Sequence, residues 1–226
     1  MLIETLCKPI DNLLGGGVES GILTHIYGVA GSGKTSIALQ CALNCISRGW
    51  KAIFIEAEST FPRERFLQIS SRFNNIDMSH FLLLSPQSFS DQSDAIDSVE
   101  MLVKEEVKLI VLDSAGSLYR YSVGLDREEN VCINMEMCRQ MAVMMHVAER
   151  FDVVAIVLNQ AKGDPLKDPK EGFSPVAAQV VDPWCRVQLR LERFIDSSMR
   201  KVILEKHNRL PVGVSVEFSL NELGAS

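Results

Sequence analysis

The sequence is short of the features that mark several common protein classes. Its six cysteines, Cys7, Cys41, Cys45, Cys132, Cys138 and Cys185, form no Cys-x-x-Cys pair, and its four histidines are scattered. Zinc-finger and zinc-ribbon spacing is therefore missing, and reduced, buried thiols are expected, as in an intracellular compartment. No stretch of about eighteen apolar residues occurs, and the opening Met-Leu-Ile-Glu-Thr-Leu-Cys-Lys is too polar for a secretory signal. A cytoplasmic protein without membrane attachment is expected. Basic residues are also in deficit, with 23 Lys and Arg against 29 Asp and Glu and a net charge of -6. Such a chain is not a general polyanion binder, because phosphate contacts come from clustered cations. Any nucleic-acid contact must be local and carried by loops.

What is present is ordinary globular material, 46% hydrophobic and 23% charged over 226 residues, a length that one core can serve. One domain spanning 1–226 is expected. Short apolar runs alternate with amphipathic helical stretches, the pattern of an α/β fold with a doubly wound, mostly parallel sheet. Strands are predicted at 22–27, 51–56, 81–84, 108–113 and 153–159, and helices at 33–48, 62–73, 91–106 and 128–150. Beyond 184 the pattern changes to alternating runs at 184–193, 199–206 and 212–219, which predicts a C-terminal antiparallel extension of the sheet. Two segments, 114–127 and 161–178, lack periodicity and read as long irregular loops, which in a compact domain are functional or disordered. Met135, Met137, Met141, Met144 and Met145 on the 128–150 helix are expected to pack in the core rather than to form a partner groove.

Gly28-Val29-Ala30-Gly31-Ser32-Gly33-Lys34-Thr35 follows an apolar strand and opens a helix. That is the context of a P-loop, or Walker A segment: its glycines let the backbone approach a phosphate chain, and N–H groups at the helix N-terminus donate to the phosphate oxygens. Lys34 is expected to reach the β and γ phosphates of ATP and Thr35 to bind Mg²⁺, with Ser36 beside them in the nucleotide-binding set. Leu109-Ile110-Val111-Leu112-Asp113 is a hydrophobic strand ending in one carboxylate, the Walker B form, and places Asp113 in the Mg²⁺ shell, through water. Glu56 and Glu58 end a neighbouring strand, where one of them can polarise a water for in-line attack. Asn159-Gln160 closes another apolar strand; a Gln there can hydrogen-bond the γ phosphate and report it to the following loop.

Taken together these motifs resemble the recombinase superfamily, bacterial RecA and its archaeal and eukaryotic relatives, over nearly the whole chain, and most closely the archaeal RadB family. The resemblance is carried by Leu13-Leu14-Gly15-Gly16-Gly17-Val18-Glu19-Ser20-Gly21, the P-loop, Glu58-Ser59-Thr60-Phe61-Pro62-Arg63-Glu64-Arg65, Leu112-Asp113-Ser114 and Asn159-Gln160. It implies a RecA-like P-loop ATPase core in which Glu58 is the catalytic carboxylate, Gln160 the γ-phosphate sensor and Arg65 the residue packing on adenine. It also implies that 114–127 and 161–178 are DNA-facing loops. In the first, Arg120, Tyr121 and Arg127 join an aromatic ring to guanidinium groups, a combination that stacks bases and pairs phosphate. In the second, Lys162, Lys167 and Lys170 are offset by Asp164, Asp168 and Glu171. By the same analogy Lys206 and Pro211 reach a neighbouring molecule's nucleotide in trans, the alternative being an ordinary surface hairpin.

The departures from the family shape the expected function. Full recombinases of the family carry an N-terminal helix-hairpin-helix domain and a linker with a Phe-x-x-Ala strand; only 27 residues precede Gly28 here, too few for both. The resemblance therefore implies an accessory recombinase paralogue of DNA repair and homologous recombination. It would bind ATP, Mg²⁺ and single-stranded or branched DNA, hydrolyse ATP to ADP and phosphate weakly without DNA stimulation, and carry out no strand exchange alone. Its expected partners are recombinase or junction-processing proteins and, as a possible homo-oligomer, further copies of itself. The alternatives are a DNA-stimulated strand-exchange enzyme and a signalling ATPase similar to KaiC.

Overall fold

The computed structural model describes residues 1–58, 60–74, 76–163, 173–195 and 197–226, without the side chains of Lys162 and Phe173. Twelve strands are assigned among them: β1 Leu2–Ile3, β2 Val18–Glu19, β3 Leu23–Gly28, β4 Lys51–Glu56, β5 Phe81–Leu84, β6 Val107–Asp113, β7 Val154–Gly163, β8 Phe173–Pro175, β9 Val187–Arg193, β10 Met199–Lys206, β11 Ser215–Asn221 and β12 Gly224–Ala225. The helices are α1 Lys8–Leu13, α2 Lys34–Ser47, α3 Arg63–Ser70, α4 Phe89–Leu102, α5 Ala115–Ser122, α6 Arg127–Phe151 and α7 Ala178–Val181.

The large sheet runs in the order β12-β11-β10-β9-β3-β7-β6-β4-β5, with β8 pairing back onto β7. From β5 to β9 the pairing is parallel, and β9 to β12 is antiparallel. The doubly wound sheet and its antiparallel extension are thus as the patterning predicts. Near-continuous Val, Ile and Leu in β6 and β7 follow from burial on both faces. One face packs against α1, α2 and α3 around Ile37, Leu43, Phe54 and Ile156; the other carries α4, α5 and α6 around Ile53, Ile110, Met141 and Val157.

Local signals set most boundaries. The Ser88 hydroxyl accepts from the Asp91 N–H at 3.0 Å and caps α4, which therefore starts at 89 rather than 91. It ends at 102, not 106, because Val103 turns extended and buries its side chain. Asp126 caps α6 by accepting from Glu128 and Glu129 N–H groups, and Asp152 ends it in the left-handed region at φ 48°. Met137, Met141 and Met144 of α6 are fully buried core residues, whereas Met135 is exposed. Cys7, Cys41, Cys45 and Cys185 are buried free thiols; Cys132 is exposed and Cys138 half-buried, against the expectation that all would be inside.

Two sequence expectations are corrected. The 114–127 segment is not irregular: most of it is α5, whose Ala115 and Leu118 face the core one turn apart. Gly116, which reads as a loop residue, is the point where this helix closes on Asn159 and Val176. Nor is 161–178 wholly irregular, since β7 continues to Gly163 and Ala161 pairs with Pro175 of β8. Residues 164–172 of that segment, with Lys167, Lys170, Asp164, Asp168 and Glu171, lie outside the described residues, as does Asp196 between β9 and β10. No helix among the described residues is long and apolar enough to cross a membrane.

Candidate nucleotide site

Parallel strands bring the motif residues to one sheet edge. At the carboxyl ends, Gly28 stands level with Gln160 on β7, and Glu56 level with Asp113 on β6. Open α/β sheets bind ligands along this edge. The loop between β3 and α2 is shaped by glycine: Gly31 and Gly33 take φ of 72° and 102°, and a Cβ on Gly28 would stand 2.3 Å from the Leu191 carbonyl oxygen. L side chains disfavour the first conformation and clash in the second position.

Ala30 and Gly31 face solvent while Ser32, Lys34 and Ser36 are buried. The Lys34 ammonium donates to the carbonyls of Gly28 and Val29 at 3.0 and 3.1 Å. Burial pushes its pKa down, opposed by the charges of Glu58 and Asp113. Thr35 Oγ1 donates to Asp113 Oδ2 at 2.8 Å. Desolvation, with the charge of Glu58 adding to it, pushes the Asp113 carboxyl up to about 7. The Asp113 Oδ1 and Ser32 Oγ atoms are buried without a protein partner. A buried carboxylate oxygen with no donor is costly unless a cation or water completes it. A threonine hydroxyl, an unsatisfied carboxylate and a lysine beside exposed backbone N–H groups fit a nucleotide phosphate chain with a divalent ion.

The two glutamates at the end of β4 separate clearly. Glu56 is buried, its pKa raised by desolvation, and its Oε1 accepts the Glu58 N–H at 2.7 Å. Glu58 is exposed and turns toward the site, where its Oε1 accepts from Ser114 Oγ at 2.9 Å and Gln160 Nε2 at 2.9 Å. Ser117 Oγ lies 3.4 Å from the same oxygen. Gln160 Oε1 accepts in turn from an Arg120 Nη at 2.9 Å. Glu58, Ser117, Arg120, Tyr121 and Gln160 line a cavity of about 440 Å³.

Arg65 projects from α3 beside the phosphate loop, its Nε donating to Ser36 Oγ at 3.0 Å and an Nη to the Glu222 carbonyl at 3.0 Å. Tyr121 is 86% exposed and Arg127, at the start of α6, is exposed. The Lys162 side chain lies outside the described residues. Lys206 and Pro211 are not near this edge: β10 runs antiparallel to β9, so Lys206 is at the opposite end of the sheet, its ammonium donating to the Asp182 carbonyl at 3.0 Å. Pro211 is exposed in the turn after it.

The sequence reading missed three contributors. Ser117 belongs to the segment taken as irregular, so its placement one helical turn from Ser114 was hidden. The Glu222 carbonyl has no side-chain signature. Arg200 is buried, its Nε donating to the Gly31 carbonyl at 3.0 Å and an Nη to Ser197 and Met199 carbonyls. It braces the phosphate loop from β10, and only the alternation of that strand could have hinted at it.

Comparison with known proteins agrees with this geometry. The Rad51 family model matches residues 1–193. The RadB DNA repair and recombination protein of Methanococcoides burtonii is 34% identical over 218 residues, covering 96% of this chain and 94% of its own. That of Thermococcus kodakarensis is 34% identical over 227 residues, covering 99% and 98%. A crystal structure of the RadB recombinase superposes with a TM-score of 0.82 at 30% identity, covering 99% of this chain and 98% of its own. A fold of the RecA type, the ordered motifs from Gly28 to Gln160 and full-length similarity lead to one assignment: the chain belongs to the RadB family of the RecA and Rad51 superfamily.

Proposed function

We propose that the protein binds ATP with Mg²⁺ and DNA and acts as an accessory recombinase paralogue in DNA repair and homologous recombination. The observation that carries this reading is the convergence of Lys34, Thr35, Asp113, Glu58 and Gln160 on one sheet edge. Lys34 would exchange its two backbone carbonyls for phosphate oxygens, a gain because the ammonium is already desolvated there. Thr35 and Asp113 would hold Mg²⁺, which supplies charge neutralisation between neighbouring phosphates. Glu58 would orient water, and Gln160, level with Gly28, would read the terminal phosphate. The arrangement supports hydrolysis to ADP and phosphate, weak because Glu58 must first release the donors that hold its carboxylate.

Tyr121 and Arg127 support single-stranded or branched DNA as the ligand of the 114–127 segment, since an exposed ring and an exposed guanidinium can stack bases and pair phosphate. The position of Lys206 and Pro211, remote from the chain's own phosphate loop, supports contact with a nucleotide on another molecule. That molecule would be a second copy or a related recombinase; junction-processing proteins complete the proposed partners.

Steady-state ATP turnover with and without single-stranded DNA tests the reading, with Lys34→Ala and Glu58→Gln as controls. Slow turnover that DNA does not raise, lost in both variants while Glu58→Gln still binds ATP, is the expected result. Strong stimulation by DNA would instead make the protein a strand-exchange enzyme, and ATP binding by Lys34→Ala at wild-type affinity would remove the phosphate-loop assignment.

A further inference from the structure

We infer that Arg120 is a positioning residue that sets the polarity of the Gln160 amide, so that its N–H₂ group and not its carbonyl faces the nucleotide edge. This deepens the proposed function and rests on the reading of Gln160 as the group that meets the terminal phosphate.

A glutamine amide has a donor end and an acceptor end of nearly equal size, and rotation by half a turn exchanges them. At the carboxyl edge of β7 the two ends meet opposite demands. Gln160 Nε2 donates to the Glu58 carboxylate and Gln160 Oε1 accepts from the Arg120 guanidinium, each at 2.9 Å. Reversed, the carbonyl would oppose the carboxylate and the amide hydrogens would oppose a guanidinium that has no acceptor. Glu58 is itself fixed by Ser114, so donation runs from Arg120 through Gln160 to Glu58 and from Ser114 on the other side, both converging on the carboxylate. An incoming phosphate oxygen is an acceptor like the carboxylate, and a carbonyl turned toward it would repel it.

Arg120 is placed to do this by α5, whose last turn it occupies. The helix is locked to β7 below by the contact of Gly116 with Asn159, the residue before Gln160. Arg120 and Gln160 thus stand on two elements with a fixed spacing, across the 440 Å³ cavity that both line. Arg120 itself is exposed and holds nothing in the core, so removing it does not threaten the fold.

The test has two readouts. In nucleotide-free protein the Gln160 side-chain amide is followed by NMR. It should give an ordered, solvent-protected pair of proton signals in the wild type and a mobile, rapidly exchanging pair in Arg120→Ala. Binding of ADP and of a non-hydrolysable ATP analogue, each with Mg²⁺, is then titrated in wild type, Arg120→Ala, Arg120→Lys, Gln160→Ala and the double Ala variant. Arg120→Ala should lower the preference for triphosphate over diphosphate by about tenfold, the scale of one charge-assisted hydrogen bond. ADP affinity should be unchanged, Arg120→Lys should restore part of the preference, and the double variant should lose no more than Gln160→Ala alone. An amide signal unaltered in Arg120→Ala overturns the inference, as does a loss that adds to that of Gln160→Ala. If Gln160→Ala leaves the preference untouched while the amide still loses order without Arg120, the orienting role stands and it is the phosphate-sensing role of Gln160 that fails.

Discussion

Gly116 closes on Asn159 with no room for a side chain between them: a Cβ on Gly116 would stand 2.5 Å from Asn159 Oδ1 and 2.8 Å from Val176 Cβ. Asn159 Nδ2 meanwhile donates to the Val176 carbonyl at 2.6 Å. One point therefore ties α5, the middle of β7 and the segment after β8, the three elements that carry the proposed DNA-facing loops and the Gln160 sensor.

Gly116→Ala tests that tie. On helix propensity alone alanine would stabilise α5 by up to about 1 kcal/mol. Steric pressure on buried neighbours costs about 1–3 kcal/mol and should win. A fall in the urea midpoint is the expected outcome, together with faster proteolysis near residues 114–127. A midpoint at or above that of wild type would show that the helix can move off β7 without penalty.

Much of this site is legible in the sequence because its parts are local. The phosphate loop needs only glycines between a strand and a helix, and Asp113 needs only an apolar run before it, so spacing suffices for both. Glu58 and Gln160 stand just beyond the apolar stretches of β4 and β7, and the carboxyl ends of such stretches converge in a parallel sheet whatever the intervening residues are. The choice of Glu58 over Glu56 was legible only through the family; the structure gives its physical side, since Glu56 is buried and Glu58 turned outward. What the sequence hides depends on contact. Gly116 looks like a loop residue until Asn159 is placed against it, and α5 disappears with that reading. The two-stranded β1 and β2 and the six-residue α1 are too short to show a period. Arg200 looks like a surface cation of an alternating strand, although its head lies under the phosphate loop.

Arg200 provides the second prediction. Its guanidinium, nearly buried, joins the Gly31 carbonyl to those of Ser197 and Met199, so the C-terminal extension and the phosphate loop share one donor. Hydrogen bonds from a charged group contribute about 1.5–3 kcal/mol when their loss leaves a buried acceptor unpaired, but Gly31 and Ser197 are exposed, so water replaces much of what their carbonyls lose. Arg200→Ala should lower unfolding free energy by about 1 kcal/mol and weaken ADP binding. Arg200→Lys should recover little, because a single ammonium cannot span the carbonyls that the fork reaches. Unfolding curves and ADP titrations of the two variants check this, and a Lys variant equal to wild type would mean that charge alone matters.

Asp113 gives the last prediction, which concerns pH. Burial, with the charge of Glu58 adding to it, raises its carboxyl from the ordinary 3.8 to about 7 in the folded protein. Between those values the folded chain holds a proton that the unfolded chain has released. Stability due to this group is therefore greatest below about 4 and is lost progressively as pH rises to about 7. Asp113→Asn keeps the shape, can still accept from Thr35, and never ionises. Without divalent ions, the Asn variant should be at least about 1 kcal/mol more stable than wild type at pH 8, with the difference shrinking as pH falls toward 5. Mg²⁺ should reverse the order for the nucleotide-bound protein, because only the carboxylate returns the cost of its burial by holding the ion. Thermal unfolding in chelator at several pH values, repeated with Mg²⁺ and ADP, measures both parts. Equal midpoints for the two proteins at pH 8 in chelator would mean that Asp113 is ionised at no cost in the empty site, and that the charge of Lys34 is enough to hold it.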